Sequence, residues 1–187
     1  HVVVPDDYES AYPYSDDGKI FAGVNTNARP DPLIWLAYAA AVTSKIRLAT
    51  GVLILPQRNP VVTAKQVATL DVMTGGRLIL GIGVGWLAEE FKAIGTPFEQ
   101  RGKRTDEYIA AMRELWQSDT PTYKGDYVDF KNANCRPQPV NGTIPIVIGG
   151  HSRAAARRDV KLGDGLFRAR GAPEPIFALA RQTGAES

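Results

Sequence analysis

The sequence predicts an α/β fold, a parallel sheet covered by helices, and three observations predict it. Short β-branched apolar runs alternate with helical stretches, those runs are apolar at nearly every position, and no antiparallel meander interrupts them. The 187 residues are 44% apolar and 22% charged, which is enough to bury a sizeable core within one domain.

The elements follow in chain order. Residues 5–31 are rich in Tyr, Asp, Asn, Pro and Gly without a sustained period, so they read as a long loop of the kind that carries function. Asp31 and Pro32 supply an N-cap and a first-turn proline for a helix over 33–42 that is apolar on most sides and expected to pack against the sheet. Residues 46–55 read as one buried strand, bounded by Lys45 and Pro56. Asn59 and Pro60 repeat the cap-then-proline entry, Val61, Ala64, Ala68 and Val72 give the next helix its spacing, and Gly75-Gly76 ends it. A strand over 77–83 follows directly.

Tyr108, Ile109, Met112, Leu115 and Trp116 form a one-sided apolar face on a helix over 103–117. A small hairpin at 123–127 precedes the strand 144–148, Ser152 caps a helix over 153–162 that Gly163 ends, 166–168 reads as a short strand and 175–183 as a last helix. Periodicity does not choose between an open doubly wound sheet and a closed barrel. About four strands fall short of either, since a complete barrel typically takes ~250 residues.

Charge and composition exclude several classes. The 22 Lys+Arg and 20 Asp+Glu are dispersed without a basic block, which argues against nucleic acid or an anionic membrane as partner. No apolar run approaches the ~20 residues that span a bilayer. One cysteine, Cys135, allows no intrachain disulfide, and two distant histidines offer no metal cluster, so no metal is expected and a cytoplasmic setting fits best. The first residue is His1 and not Met, which leaves a lost signal sequence open.

Chemistry is expected where glycines follow strands. Gly81, Gly83 and Gly85 follow one strand, and Gly149-Gly150 follow another, at the strand ends where α/β folds bind ligands. Their backbone N–H groups can approach phosphate oxygens, helped by the helix start at Ser152-Arg153 and by Arg153, Arg157 and Arg158. Equally, the glycines can serve only to turn the chain from strand to helix. The spacing is not the G-x-G-x-x-G nucleotide fingerprint. His1 and His151 are expected on one face of the sheet, each either structural or catalytic. A Ser-His-acid triad with Ser152 lacks a nucleophile elbow. Asp6-Asp7 and Glu89-Glu90 could be the paired carboxylates of a barrel glycosidase, but adjacent acids in loops and helix starts are expected to be solvated. Cys135 reads as a small packed residue.

Taken in order, Arg47 to Val52, Asn59 to Gln66, Thr69 to Leu78, Gly81-Ile82-Gly83-Val84-Gly85-Trp86, Arg101 to Tyr108, Tyr123 to Phe130, Cys135 to Pro139 and Pro145 to Ser152 resemble the luciferase-like monooxygenase family, most of all its branch dependent on the deazaflavin F420. The resemblance covers residues 1 to about 168. It implies a partial (β/α)₈ TIM barrel, a single incomplete domain over 1–187 that starts at the end of strand 2 and includes strands 3 to 6. A segment of that kind, taken alone, is expected to associate or misfold and to be a poor catalyst, because strand edges and an apolar inner face lie open.

The resemblance further implies an oxidoreductase or monooxygenase using F420, or alternatively FMN, on a small organic substrate, with the complete protein a homodimer; a non-catalytic barrel piece is the rival. His1 stands at the histidine of the family's Asp-His pair and would transfer a proton or position the ring. Thr50, Gly51 and Val52 would support the ring, with a cis peptide or bulge at Gly51–Val52. Asn59, which stands where many relatives have histidine, together with Gly83, Val84, Gly85, Gly149, Gly150 and His151, would hold the cofactor.

Overall fold

A computed structural model describes residues 1–20 and 28–167. Its helices are α1 (Pro32–Ala41), α2 (Pro60–Thr74), α3 (Ala88–Ala93), α4 (Arg101–Gln117) and α5 (Arg153–Leu162); its strands are β1 (Leu48–Ala49), β2 (Leu53–Ile54), β3 (Leu78–Gly83), β4 (Tyr123–Lys124), β5 (Asp129–Phe130), β6 (Ile146–Gly149) and β7 (Gly165–Phe167). The expected helix over 175–183 lies outside the described residues, as does Arg168.

The sheet runs β1 and β2, then β3, β6 and β7, every pair parallel. Strands adjacent in this sheet are consecutive along the chain, with helices between them and no point where the order reverses. A doubly wound sheet needs such a reversal, whereas an arc of a (β/α)₈ barrel does not. The β4–β5 hairpin is antiparallel and stands apart from this sheet.

The cap chemistry is as the residue types dictate. Asp31, Asn59 and Ser152 each accept backbone N–H groups at the starts of α1, α2 and α5, and Gly75 ends α2 in the left-handed region at φ 66°. The core lies between the sheet and α2 and α4. Leu48, Leu53, Leu78, Leu80, Ile82, Ile146 and Ile148 meet Ala64, Val67, Ala68, Ile109, Met112, Leu115 and Trp116 there, all buried. The Trp116 indole donates to the Ala64 carbonyl at 3.1 Å, so this large ring is buried without an orphaned N–H.

Four differences from the sequence expectation have physical causes. The strand expected over 46–55 is broken into β1 and β2: Leu48 pairs with Leu78 and Leu53 with Ile82, so five steps along one strand meet four along the other, and the Gly51–Val52 peptide between them is cis. This is the bulge that a glycine late in a buried strand permits. Second, α1 buries only Leu33 fully; Ile34, Trp35, Tyr38 and Val42 are exposed, because this helix rests on α2 and β1 with one side alone. The Arg77 guanidinium ties its C-terminal end to the sheet through the carbonyls of Thr43 and Ile46, both at 2.9 Å. Third, α4 starts two residues before the expected Lys103, at Arg101. Fourth, α3 is a helix that periodicity did not mark, too short for an apolar stripe.

Candidate active site

The C-terminal ends of the strands open into one cavity of about 1050 Å³. Its floor is the bulge and two glycine turns. Gly51, Val52 and Ile54 line it beside Gly83, Val84, Gly85, Gly149 and Gly150. The glycines at 83 and 149 serve a neighbour: a Cβ on Gly83 would come within 2.8 Å of Val52 Cγ2, and one on Gly149 within 2.7 Å of Val52 Cγ1. Their missing side chains are the space into which Val52 fits. Gly81, one step deeper, passes the Thr50 carbonyl so closely that a Cβ would lie 2.0 Å from that oxygen. The Thr50 hydroxyl, buried, donates to the Gly81 carbonyl at 2.6 Å, locking bulge to strand.

A second wall is cationic. The N-terminal ends of α4 and α5 reach the cavity at Arg101-Gly102 and at Ser152, Ala154 and Ala155, and Arg101 and Arg158 line it. Arg101 donates to the Gly85 carbonyl at 3.0 Å and lies over the Phe98 ring at 3.8 Å, while Arg158 pairs with Asp106 and donates to the Gly102 carbonyl at 3.1 Å. Burial pulls Arg101 below the ordinary arginine value, against the nearby Glu99 charge, yet an arginine keeps its charge in proteins. Two helix N-termini and two guanidinium groups make this side suited to an anion.

The third wall is aromatic and brings the two histidines into one site. His1 meets Trp86 edge-on with centroids 5.9 Å apart, Tyr8 and Tyr12 meet the same indole at 5.5 and 5.1 Å, Tyr12 meets Tyr14 at 5.3 Å, and Tyr14 lies against His151 at 4.5 Å. Burial raises the Tyr14 phenol above its ordinary range, with Tyr12 adding to the effect, so it stays protonated. The start of α3 holds this wall in place. Glu89 accepts the backbone N–H groups of Glu9 and Ser10 at 2.7 and 3.0 Å and the Ser10 hydroxyl at 2.7 Å. Glu90, with no exposed surface, accepts from His1 Nδ1 at 2.8 Å and from the backbone N–H groups of Val2 and Val3.

The cavity therefore gathers His1, Gly51, Val52, Gly83, Val84, Gly85, Gly149, Gly150 and His151 from the expected set. Thr50 and Asn59 do not line it: the Thr50 hydroxyl serves Gly81, and the exposed Asn59 side chain is spent capping α2 through Val61 and Val62. Of the arginines after Ser152, Arg158 lines the cavity, and Arg153 and Arg157 are exposed. Glu90 overturns the expectation of solvated acids, being fully buried against its donors, whereas Glu89 stays close to solvent while accepting from residues 9 and 10. Residues that composition alone did not mark are Tyr12, Tyr14, Gln100 and Arg101. The Tyr-rich start of the long loop was a signal for the tyrosines, and an earlier start for α4 would have marked Arg101. Among the described residues no group of three or more His, Cys, Asp or Glu side chains is placed to hold a metal, and no helix is long and apolar enough to cross a membrane.

Comparison with known proteins assigns this arrangement to a lineage. The family model described as luciferase-like monooxygenase matches residues 2–186. An uncharacterized protein of Mycobacterium tuberculosis is 36% identical over 149 residues, covering 80% of this chain and 52% of its own length. The FMNH2-dependent dimethylsulfone monooxygenase of Pseudomonas fluorescens is 36% identical over 130 residues, covering 68% of this chain and 35% of its own length. Among solved structures, the coenzyme F420 dependent tetrahydromethanopterin reductase of Methanopyrus kandleri superposes with a TM-score of 0.70 at 25% identity, covering 83% of this chain and 51% of that one. The chain thus spans about half the length of the first curated relatives it matches.

Proposed function

The chain belongs to the luciferase-like monooxygenase family, and from that premise we propose that the complete protein is a two-electron oxidoreductase that binds F420 in this cavity and acts on a small organic substrate. The observation that carries the reading is the cavity's division into unlike walls. Val52 and Ile54 on the bulge offer an apolar surface to one face of a flat ring system, next to the turns at Gly83 to Gly85 and Gly149-Gly150. Arg101, Arg158 and the starts of α4 and α5 suit the phosphate-bearing tail of the same molecule. The residues present fit such a cofactor, which when bound supplies the hydride chemistry that amino acids lack.

The chain's own contribution is binding, exclusion of water and movement of a proton. Trp86, Tyr12 and Tyr14 form an apolar wall beside His1, suited to a planar or apolar substrate that would displace water from the ring. In this reading His1, which lines the cavity and contacts Glu90 through Nδ1, takes or gives a proton at the substrate. The identity to an FMNH2-dependent monooxygenase supports FMN as the second reading.

Binding decides between them. Titration of the full-length protein with F420 and with FMN, followed by cofactor absorbance and Trp fluorescence, should show the tighter complex with F420. Tight FMN binding without detectable F420 binding would reverse the assignment.

A further inference from the structure

Glu90 is a buried acid to which the proposed chemistry gives no role beyond its contact with His1. It sits in the first turn of α3 with no exposed surface, and its two oxygens face three donors from the far end of the chain: His1 Nδ1 on Oε2, and the N–H groups of Val2 and Val3 on Oε1. A backbone N–H can only donate. Those two donors occupy Oε1 and leave Oε2 to the imidazole; towards a carboxylate, which only accepts, His1 Nδ1 carries the hydrogen of that contact. The ring's remaining polar atom is then an unprotonated Nε2, on a side chain that lines the cavity.

We propose that Glu90 is a positioning residue that fixes His1 in the Nδ1–H tautomer, so that the neutral ring offers Nε2 as a proton acceptor. The proposal rests on the reading of His1 as the proton-handling group, and it says in which direction the neutral ring works: it takes a proton at Nε2 and cannot donate one there until it has done so. An orienting acceptor behind an imidazole is how a buried carboxylate selects a tautomer without itself moving a proton.

The residue types also predict what happens when the charge is removed. In Glu90→Gln the side chain has one carbonyl and one NH2. The backbone donors of Val2 and Val3 cannot reverse, whereas an imidazole can. The amide carbonyl therefore stays on the backbone, its NH2 turns to His1, Nδ1 becomes the acceptor, and Nε2 acquires the hydrogen. Glu89→Gln loosens the neighbouring Glu9–Ser10 contact without touching His1 and should leave the tautomer alone.

The test is ¹⁵N NMR of the His1 and His151 imidazoles in the cofactor-free full-length protein, at a pH where both are neutral, with His1→Gln and His151→Gln to assign their signals. The expected result is a pyridine-like Nε2 on His1 in the wild type and in Glu89→Gln, and a pyrrole-like Nε2 in Glu90→Gln. A pyrrole-like Nε2 in the wild type overturns the proposal outright, so it remains decidable even if Glu90→Gln fails to fold. An unchanged tautomer in Glu90→Gln, or an equal change in Glu89→Gln, overturns it as well. Because no cofactor is present, failure to bind F420 defeats the functional reading and leaves this result standing.

Discussion

The glycine floor of the cavity is built from backbone on neighbouring strands, whereas the histidine wall is built from side chains that reach across 78 to 89 residues of chain. On the floor, Gly83 and Gly149 take up Val52, with Gly81 against Thr50 just beneath, and the parallel register of β2, β3 and β6 brings them together as soon as the strands form. On the wall, α3 must be docked before Glu89 and Glu90 can fasten residues 1–10. The floor should therefore fail through crowding, with loss of the fold, and the wall through lost acceptors, with the sheet intact.

The largest effect is expected at Gly81. A Cβ there would meet the Thr50 carbonyl at 2.0 Å, backbone against backbone with no side chain free to give way. Gly81→Ala should cost about 3 kcal/mol or more in stability, read from urea denaturation of the full-length protein. A variant of unchanged stability would show that the floor is softer than its geometry, and the contrast with the wall would collapse.

Next comes Glu90→Ala, which leaves the Val2 and Val3 N–H groups and His1 without their buried acceptor. A loss of about 2–3 kcal/mol is expected, with hydrogen exchange accelerated at residues 1–10 and not in β3 or β6. Uniform acceleration across the sheet would mean that wall and floor are a single unit.

The floor can also be sharpened internally. Gly83→Ala should cost about 1–2 kcal/mol because its new methyl strikes Val52 Cγ2, the only contact closer than 3.4 Å at that site among the described residues. Removing that obstacle with Val52→Ala should absorb most of the added cost, a coupling that a double-mutant cycle measures directly. Additive losses would point to backbone crowding in place of the Val52 contact.

The smallest effect concerns pH. Desolvation works against ionisation of Glu89, but hydrogen bonds from the Ser10 hydroxyl and from backbone N–H groups of Glu89, Ser10 and Glu9 prevail and hold its pKa down to about 2, from an ordinary 4.5. A depressed carboxylate contributes its stability above the unfolded value and loses it as pH falls through the folded one, so the contact should weaken between about pH 4.5 and 2. The group is close to solvent, so the contribution is expected to stay below about 1 kcal/mol. The check is the stability difference between wild type and Glu89→Gln across that window, which should shrink towards acid; a constant difference would remove the charge from the account.

The sequence by itself determined what depends on near neighbours in the chain or on alternating patterns. Asp31, Asn59 and Ser152 announce their helices because a cap and its N–H partners lie within three residues of each other. Apolar runs announce the strands, glycines after them announce the turns, and the ordered motifs from Arg47 to Ser152 carry the family. The irregularity at Gly51–Val52 was legible from that resemblance.

Tertiary structure alone decided where those pieces were spent. Asn59 was legible as a cap and as a cofactor contact, and the fold uses it for the first while keeping it out of the cavity. The apolar surround of α1 did not say which side would be covered. Glu89 and Glu90 looked like any exposed acidic pair at a helix start, since, apart from the backbone N–H of Glu89 itself, the donors they receive lie some 80 residues away. Those donors are backbone N–H groups, the Ser10 hydroxyl and the His1 ring near the other end of the chain. A backbone N–H has no residue-type signature, so only a fold that closes a loop of 78 to 89 residues can show which acid it satisfies.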